Sequence, residues 1–462
     1  MTLASRTLVA ILLFALVARG AAWRLTGLER FAAATAHHEH ADIARNLASG
    51  RGFSFNFFGD IKKDPLPTSQ QAPLVPSLLA GAYLMLGIET SAALGAMLAL
   101  QIAVSSWTCV LLARFAAGAA GRRDVGVLAG LLAALYPPLV LAPLHVQALV
   151  WNLFWLALML AGAQDLRAGR LRLGAISLAA GGIGGLLTDP ILAAPLGLLL
   201  SLLAAERFAS SGRLGLKLPV AIGLAVLVGL APWLARNVAV HGRFAFVKNS
   251  FWYVFWQGNT LLSAGTDKLP FDEANLALPA SSVADAAAAL QEARGRCRSV
   301  NDHLSVAELH ELEALPTESA RMDWFGRRIR AELAAAPSHY LAMCGKRWSA
   351  WWGFDPTNPK SLLPSYRAAY LSLAALAALG LFLVSWHGLL PALLVAGGLT
   401  AVHVLVITSA RFRIPLEMLM LIPAAATLAR TSGAFELARR FRPAPFPRPE
   451  PLETAEVRPA AA

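Results

Sequence analysis

The sequence predicts an all-α polytopic membrane protein: a bundle of about ten transmembrane helices with two long loops on one side. Three observations carry the architecture. Hydrophobic residues make up 56% of the 462-residue chain and charged ones only 15%, an apolar content beyond that of an ordinary soluble domain. Apolar stretches able to cross a hydrocarbon core of about 30 Å recur along the chain. Lys and Arg gather in alternate short loops, the asymmetry that orients membrane proteins.

The expected spans are 7–23, 92–115, 124–143, 145–163, 173–188, 190–205, 217–235, 368–386, 388–408 and 413–430. A further apolar run, 73–88, is short and carries Pro73, Pro76 and Gly81, so it reads as an interfacial segment. With that run left out, Arg114, Arg122 and Arg123 fall on the side of the N-terminus. So do Arg167, Arg170 and Arg172, then Arg207, Arg213 and Lys217, then Arg430, Arg439 and Arg440. The opposite short loops, around Pro137 to Leu144 and at Asp189-Pro190, contain no Lys or Arg. The positive-inside rule then sets both termini in the cytoplasm, and segments 24–91 and 237–366 become exterior. A first span read instead as a cleaved signal peptide leaves 24–91 exterior all the same.

Four regions follow. Residues 1–236 form an N-terminal transmembrane module that includes the first exterior loop. Residues 237–366 are long enough to fold as a small helical cap, and residues 367–430 hold the last spans. The tail, 431–462, is rich in Pro and Arg and reads as disordered. Trp348, Trp351 and Trp352 stand where an aromatic belt would lie. The net charge of +12 belongs to topology and to anionic membrane lipids, and nucleic acid is not expected as a partner. Cys109, Cys297 and Cys344 show no metal-ligand spacing. Free thiols are expected, with pairing of Cys297 and Cys344 left open.

The chemistry concentrates after the first span, in His37-His38-Glu39-His40 with Asp42. A carboxylate held at the membrane surface suits an enzyme that deprotonates an acceptor while its donor sits in lipid. The plain alternative is a solvated loop carboxylate at a helix start, where Asp42 is the better N-cap because it precedes Ile-Ala-Arg-Asn-Leu. His37, His38 and His40 either tune Glu39, hold a divalent cation with it, or supply loop polarity. Their contiguous spacing does not fit one helix face. Arg411 and Arg413 open the last span on the exterior side, against the charge bias. A guanidinium there needs water or an anion, and a lipid phosphate is a bidentate partner; snorkelling is the alternative. Arg236 and Asn237 end the seventh span after Pro232, lining a cleft, orienting the second loop or forming a hinge. Asp189 reads as a turn residue, and Gly181, Gly182, Gly184 and Gly185 as close helix packing.

HEHADIARNLASGRGFS at 38–54, QAPLVPSLLAGAYLMLG at 71–87, PWLARN at 232–237, Gly258-Asn259 and ARFRIPLEMLMLI at 410–422 stand in one order along the chain. Together they resemble the bacterial branch of the GT-C glycosyltransferases related to protein O-mannosyltransferases and lipid A aminoarabinose transferases, over about residues 1–430. The resemblance implies juxtamembrane helices in the first exterior loop and an inverting transfer of sugar from a polyprenyl-phosphate donor to an exterior lipid, glycan or protein, at the periplasmic face of the inner membrane. It implies a catalytic carboxylate before the stretch Ile43-Ala44-Arg45-Asn46-Leu47-Ala48-Ser49-Gly50-Arg51-Gly52-Phe53, which is Glu39. Several relatives carry an Asp nearer the loop's start, where this chain has Ala36, His37 and His38, so the choice between Glu39 and Asp42 stays open. The resemblance also sets Arg411 and Arg413 against the donor phosphate. The competing classes are a polyisoprenoid or lipid transporter, and a non-catalytic protein that binds a lipid-linked glycan.

Overall fold

The computed structural model describes residues 3–26, 39–58, 65–270, 293 and 296–440. The described residues are helical throughout their ordered elements, with isolated β-bridges Ser54–Pro67 and Lys268–Ser299 and no longer strand. Helix α1, Ser5–Thr26, is followed by the short α2, Glu39–Ala48, and α3, Leu74–Leu86. Then come α4, Ser91–Ala120, α5, Arg123–Leu135, and the one-turn α6, Pro137–Leu141. The bundle continues with α7, Ala148–Arg167, α8, Leu171–Leu186, α9, Ala193–Ser211, and α10, Lys217–His241. Among the described residues of the second long loop there are four helices: α11, Phe251–Asn259, α12, Val306–Ala314, α13, Glu318–Ala335, and α14, Pro337–Trp352. The described residues close with α15, Pro364–Gly380, α16, Trp386–Leu405, and α17, Ile414–Arg440, so residues 431–440 of the tail expected to be disordered are helical, while 441–462 lie outside the described residues.

Among the described residues, six helical runs are long and apolar enough to cross a membrane, or seven if the bent α5–α6 pair is one span. The run Pro190–His241, 52 residues, is two helices separated by a 3-10 turn at Gly212–Leu216. Each of the ten expected spans overlaps a helix or a bent pair, but α8 and α15, at 16 and 17 residues, are shorter than a full crossing, and the span expected over 368–386 runs past the end of α15 at Gly380. Helix α3 has 13 residues and extends only about 20 Å at 1.5 Å per residue. That is too short to cross the hydrocarbon core on its own.

The span expected to run unbroken over 124–143 is corrected by the structure: α5 and α6 meet at an angle of 57°. Pro137 and Pro138 carry no amide hydrogen, so the carbonyls of Ala133 and Ala134, four residues earlier, lose their helical donors. Arg19 of α1, fully buried, supplies the replacement. Its guanidinium donates to Ala133 O and Ala134 O at 3.4 Å each, to Leu139 O at 3.4 Å, and through Nε to Ser105 Oγ at 2.7 Å. The broken helix is thus closed from outside itself, as backbone in an apolar layer requires.

The four glycines of α8 serve packing. A β-carbon on Gly181 would lie 2.7 Å from Met159 Cγ, and one on Gly184 2.5 Å from the Trp155 ring, so α7 and α8 approach as only glycine permits. One large apolar cluster runs through the bundle. A second, centred on Tyr253, Trp256, Phe325 and Ile329, belongs to α11–α13 and takes in Phe57 from the first loop. All three cysteines are free thiols.

Replacing Arg19 by Leu is expected to strand two buried carbonyls and lower stability by roughly 2–5 kcal/mol, read as a lower midpoint of thermal unfolding in detergent. Adding Pro137→Ala and Pro138→Ala returns the missing amides and recovers part of the loss. An Arg19→Leu protein that melts with the wild type would show that the capping is dispensable.

Candidate active site at the loop end of the bundle

The segment after α2 shows why its sequence has the form it has. Ile43 and Ala44 are buried on the face of α2 that packs against α3. Gly50 and Gly52 take φ values of +76° and +70°, which favour glycine. They turn the chain out of α2, after which Phe55 N donates to Leu66 O at 2.9 Å and Thr68 N to Phe53 O at 3.1 Å. Phe53 meets the Trp233 ring edge-on at 4.9 Å. The returning strand leads to Gln71, whose Nε2 donates to Glu39 Oε2.

Glu39 is the first residue of α2 and is partly exposed. The expectation that Asp42 caps this helix is corrected: the helix begins three residues earlier, and Asp42 closes its first turn. There its carboxylate accepts from Arg45 at 2.6 Å, and Arg45 also binds Glu89. Asp42 is therefore engaged in a chain of surface ion pairs, whereas among the described residues Glu39 holds a single amide donor. His40, next to Glu39, is buried, so the two neighbours do not share a face. His37 and His38 lie outside the described residues. Among the described residues no group of three or more His, Cys, Asp or Glu side chains is placed to hold a metal ion.

Arg236 and Asn237 hold the frame. Arg236 donates to Phe53 O at 2.9 Å, Thr68 O at 2.7 Å and Ser69 Oγ at 2.8 Å, and lies over the Trp233 ring at 4.8 Å. Asn237, fully buried, accepts from Ser69 Oγ at 2.7 Å and donates to Phe246 O at 2.8 Å. Both side chains thus fasten the first loop to the end of α10. The same strand is gripped from the second loop by residues whose role the sequence did not disclose. Glu318 accepts from Ser69 N at 3.0 Å and from Thr68 Oγ1, and Arg321 donates to Phe57 O, to Leu312 O at 3.0 Å and to Leu315 O at 3.2 Å.

The C-terminal arginines part company. Arg413 is buried: Nε meets Glu417 at 2.7 Å, Nη2 donates to Tyr366 Oη at 2.9 Å, Nη1 donates to Gly353 O, and the ring of Tyr370 lies 3.7 Å away. Glu417 also accepts from Tyr136 Oη at 2.8 Å. Arg411 is exposed, its guanidinium 5.1 Å from the Phe412 ring. Asp189 accepts from Ile191 N at 3.4 Å as a turn residue does, and lies 3.6 Å from Lys248. Trp351 faces inward, donating to Thr400 Oγ1 at 2.9 Å, while Trp348 and Trp352 are exposed.

Burial first, and then the nearby Glu39 and Asp267 carboxylates, hold the Tyr253 phenol above its ordinary range. Asp267 likewise adds to the burial that raises Asp355. Asp355 accepts from Ala410 N at 3.2 Å, and Arg411 is the next residue. The Gly258-Asn259 pair supports this junction. A β-carbon on Gly258 would lie 2.3 Å from Val406 O, and Arg347 donates to Gly258 O at 2.6 Å and Asn259 Oδ1 at 2.9 Å.

Burial raises the Glu318 carboxyl above its ordinary 4.5, with the bonds from Thr68 and Ser69 opposing the rise. The folded state therefore prefers the protonated acid. Its contribution is fully present below about pH 4.5 and is lost as pH rises through the raised value. Thermal unfolding followed against pH is expected to show this loss in the wild type and not in Glu318→Gln, which keeps the bonds without the charge. Identical pH profiles for the two proteins would contradict it.

No known protein family, curated protein or solved structure matches the chain.

Proposed function

We propose that the chain is an inverting glycosyltransferase of the membrane that uses a polyprenyl-phosphate-linked sugar, with Glu39 as general base. One observation carries the reading. Glu39 is a partly exposed carboxylate at the start of a helix, oriented by Gln71 and with no other hydrogen-bond partner among the described residues, whereas Asp42 is tied to Arg45. In this reading all ten expected segments cross the membrane, both termini are cytoplasmic, and α2, α3 and α11–α14 lie on the exterior face of a bacterial inner membrane. The ordered resemblance in the sequence and the charge asymmetry of the loops support that topology.

The chemistry asks for little else. The Glu39 carboxylate takes the proton of an acceptor hydroxyl as that oxygen bonds to the anomeric carbon. The bond from that carbon to the phosphate oxygen breaks, and polyprenyl phosphate leaves with the electron pair. Base and leaving group stand on opposite faces of the sugar, so configuration inverts and no covalent intermediate forms. Of the two arginines, Arg411 has its donors open to a phosphate, where it would stabilise the charge on the leaving group. Arg413 serves by fixing the start of α17.

Transfer of radiolabelled sugar from a panel of polyprenyl-phosphate donors, in membranes containing the chain, tests the reading. Glu39→Gln is expected to lower the rate about 10²- to 10⁴-fold with folding intact. Asp42→Asn breaks only a surface pair and leaves the rate within about tenfold. Arg411→Ala is expected to weaken donor use. Full activity in Glu39→Gln would sink the assignment, and no transfer from any donor by folded protein would favour a transporter or binding role.

A further inference from the structure

At the end of the bundle opposite Glu39, where α1 begins, a cavity of about 220 Å³ opens between α1, α4, α7 and α8. Leu8, Phe115 and Leu173 form apolar wall, and Arg114, Asp165 and Arg170 line the polar part. Asp165 is buried, and it accepts from Arg114 Nη2 at 3.1 Å and from Arg170 Nη2 at 2.5 Å. Two guanidinium groups share one carboxylate, which leaves the lining with one net positive charge. Both arginine side chains remain about a third or more exposed, at 32% and 41%. Gln164 adds a buried Oε1 with no donor.

We propose that this cavity binds the headgroup of an anionic glycerophospholipid. Three features select that occupant. The cavity is smaller than the roughly 300–1,000 Å³ that takes a whole drug-sized ligand, so it suits a headgroup whose chains stay outside. The net charge and the unused nitrogens of Arg114 and Arg170 suit a phosphate diester, and the Gln164 acceptor suits a headgroup hydroxyl. Leu173 is 47% exposed beside the opening, as a residue against acyl chains would be. A soluble phosphate would use the charge alone and gain nothing from these walls. The site is independent of the transfer chemistry proposed above.

The test is native mass spectrometry of the full chain in detergent, titrated with phosphatidylglycerol, with phosphatidylcholine, or with soluble glycerol 3-phosphate. Arg170→Gln leaves Asp165 its bond to Arg114 and so keeps the fold, Arg170→Lys keeps the charge, and Arg213→Gln removes an exposed cation from the same end. The wild type is expected to retain phosphatidylglycerol over phosphatidylcholine. Arg170→Gln is expected to weaken that retention about fivefold, the effect of roughly one cation near an anionic lipid, while Arg170→Lys and Arg213→Gln preserve the preference. Equal retention of the two lipids, an unaltered preference in Arg170→Gln, or equal binding of glycerol 3-phosphate would overturn the proposal.

Discussion

A main-chain carbonyl taken out of water must find a donor, and in this protein arginine supplies it at several of the places where the helices break. Arg19 bonds the carbonyls stranded by Pro137 and Pro138. Half-buried Arg236 bonds those of Phe53 and Thr68, Arg321 those of Leu312 and Leu315, and Arg347 that of Val404. The planar fork of guanidinium can serve several carbonyls at once, so one side chain closes a break that would otherwise leave groups each costing about 1–3 kcal/mol. Of the buried arginines among the described residues, only Arg413 is fastened to a carboxylate, Glu417.

This frame places the candidate base. The strand 65–70 is held on one side by Arg236 and Asn237 and on the other by Glu318, and it delivers Gln71 to Glu39. Glu39 itself makes no long-range bond to the bundle other than this one among the described contacts, so its orientation is inherited from the clamp. At the other end of the chain Asp355 fixes Ala410 and with it the place of Arg411. The candidate base and Arg411, from distant parts of the sequence, thus each lean on a piece of non-helical backbone held by polar bonds.

Much of the fold was legible because hydropathy is local. The positions of the long helices and the short reach of α3 follow from runs of apolar residues, and the glycine motif after α2 states its own geometry through Gly50 and Gly52. What could not be read is long-range pairing. Nothing in the spacing joins Thr68 to Glu318 or Gln71 to Glu39. Arg411 and Arg413 look alike in sequence, yet Ile414 starts a helix whose packing turns Arg413 toward Glu417 and Tyr370 and leaves Arg411 outside. The Pro137-Pro138 pair announced a break, but the partner that makes it tolerable, Arg19, is more than a hundred residues away.

The role of Glu39 is tested most directly by chemical rescue. Removing the side chain as Glu39→Ala and adding formate supplies a diffusible carboxylate to the space the residue vacates. If Glu39 takes the acceptor's proton, sugar transfer is lost in the variant and returns as formate is raised, with no comparable rescue in Asp42→Ala. Transfer that persists in Glu39→Ala without formate, or rescue confined to Asp42→Ala, would contradict the account.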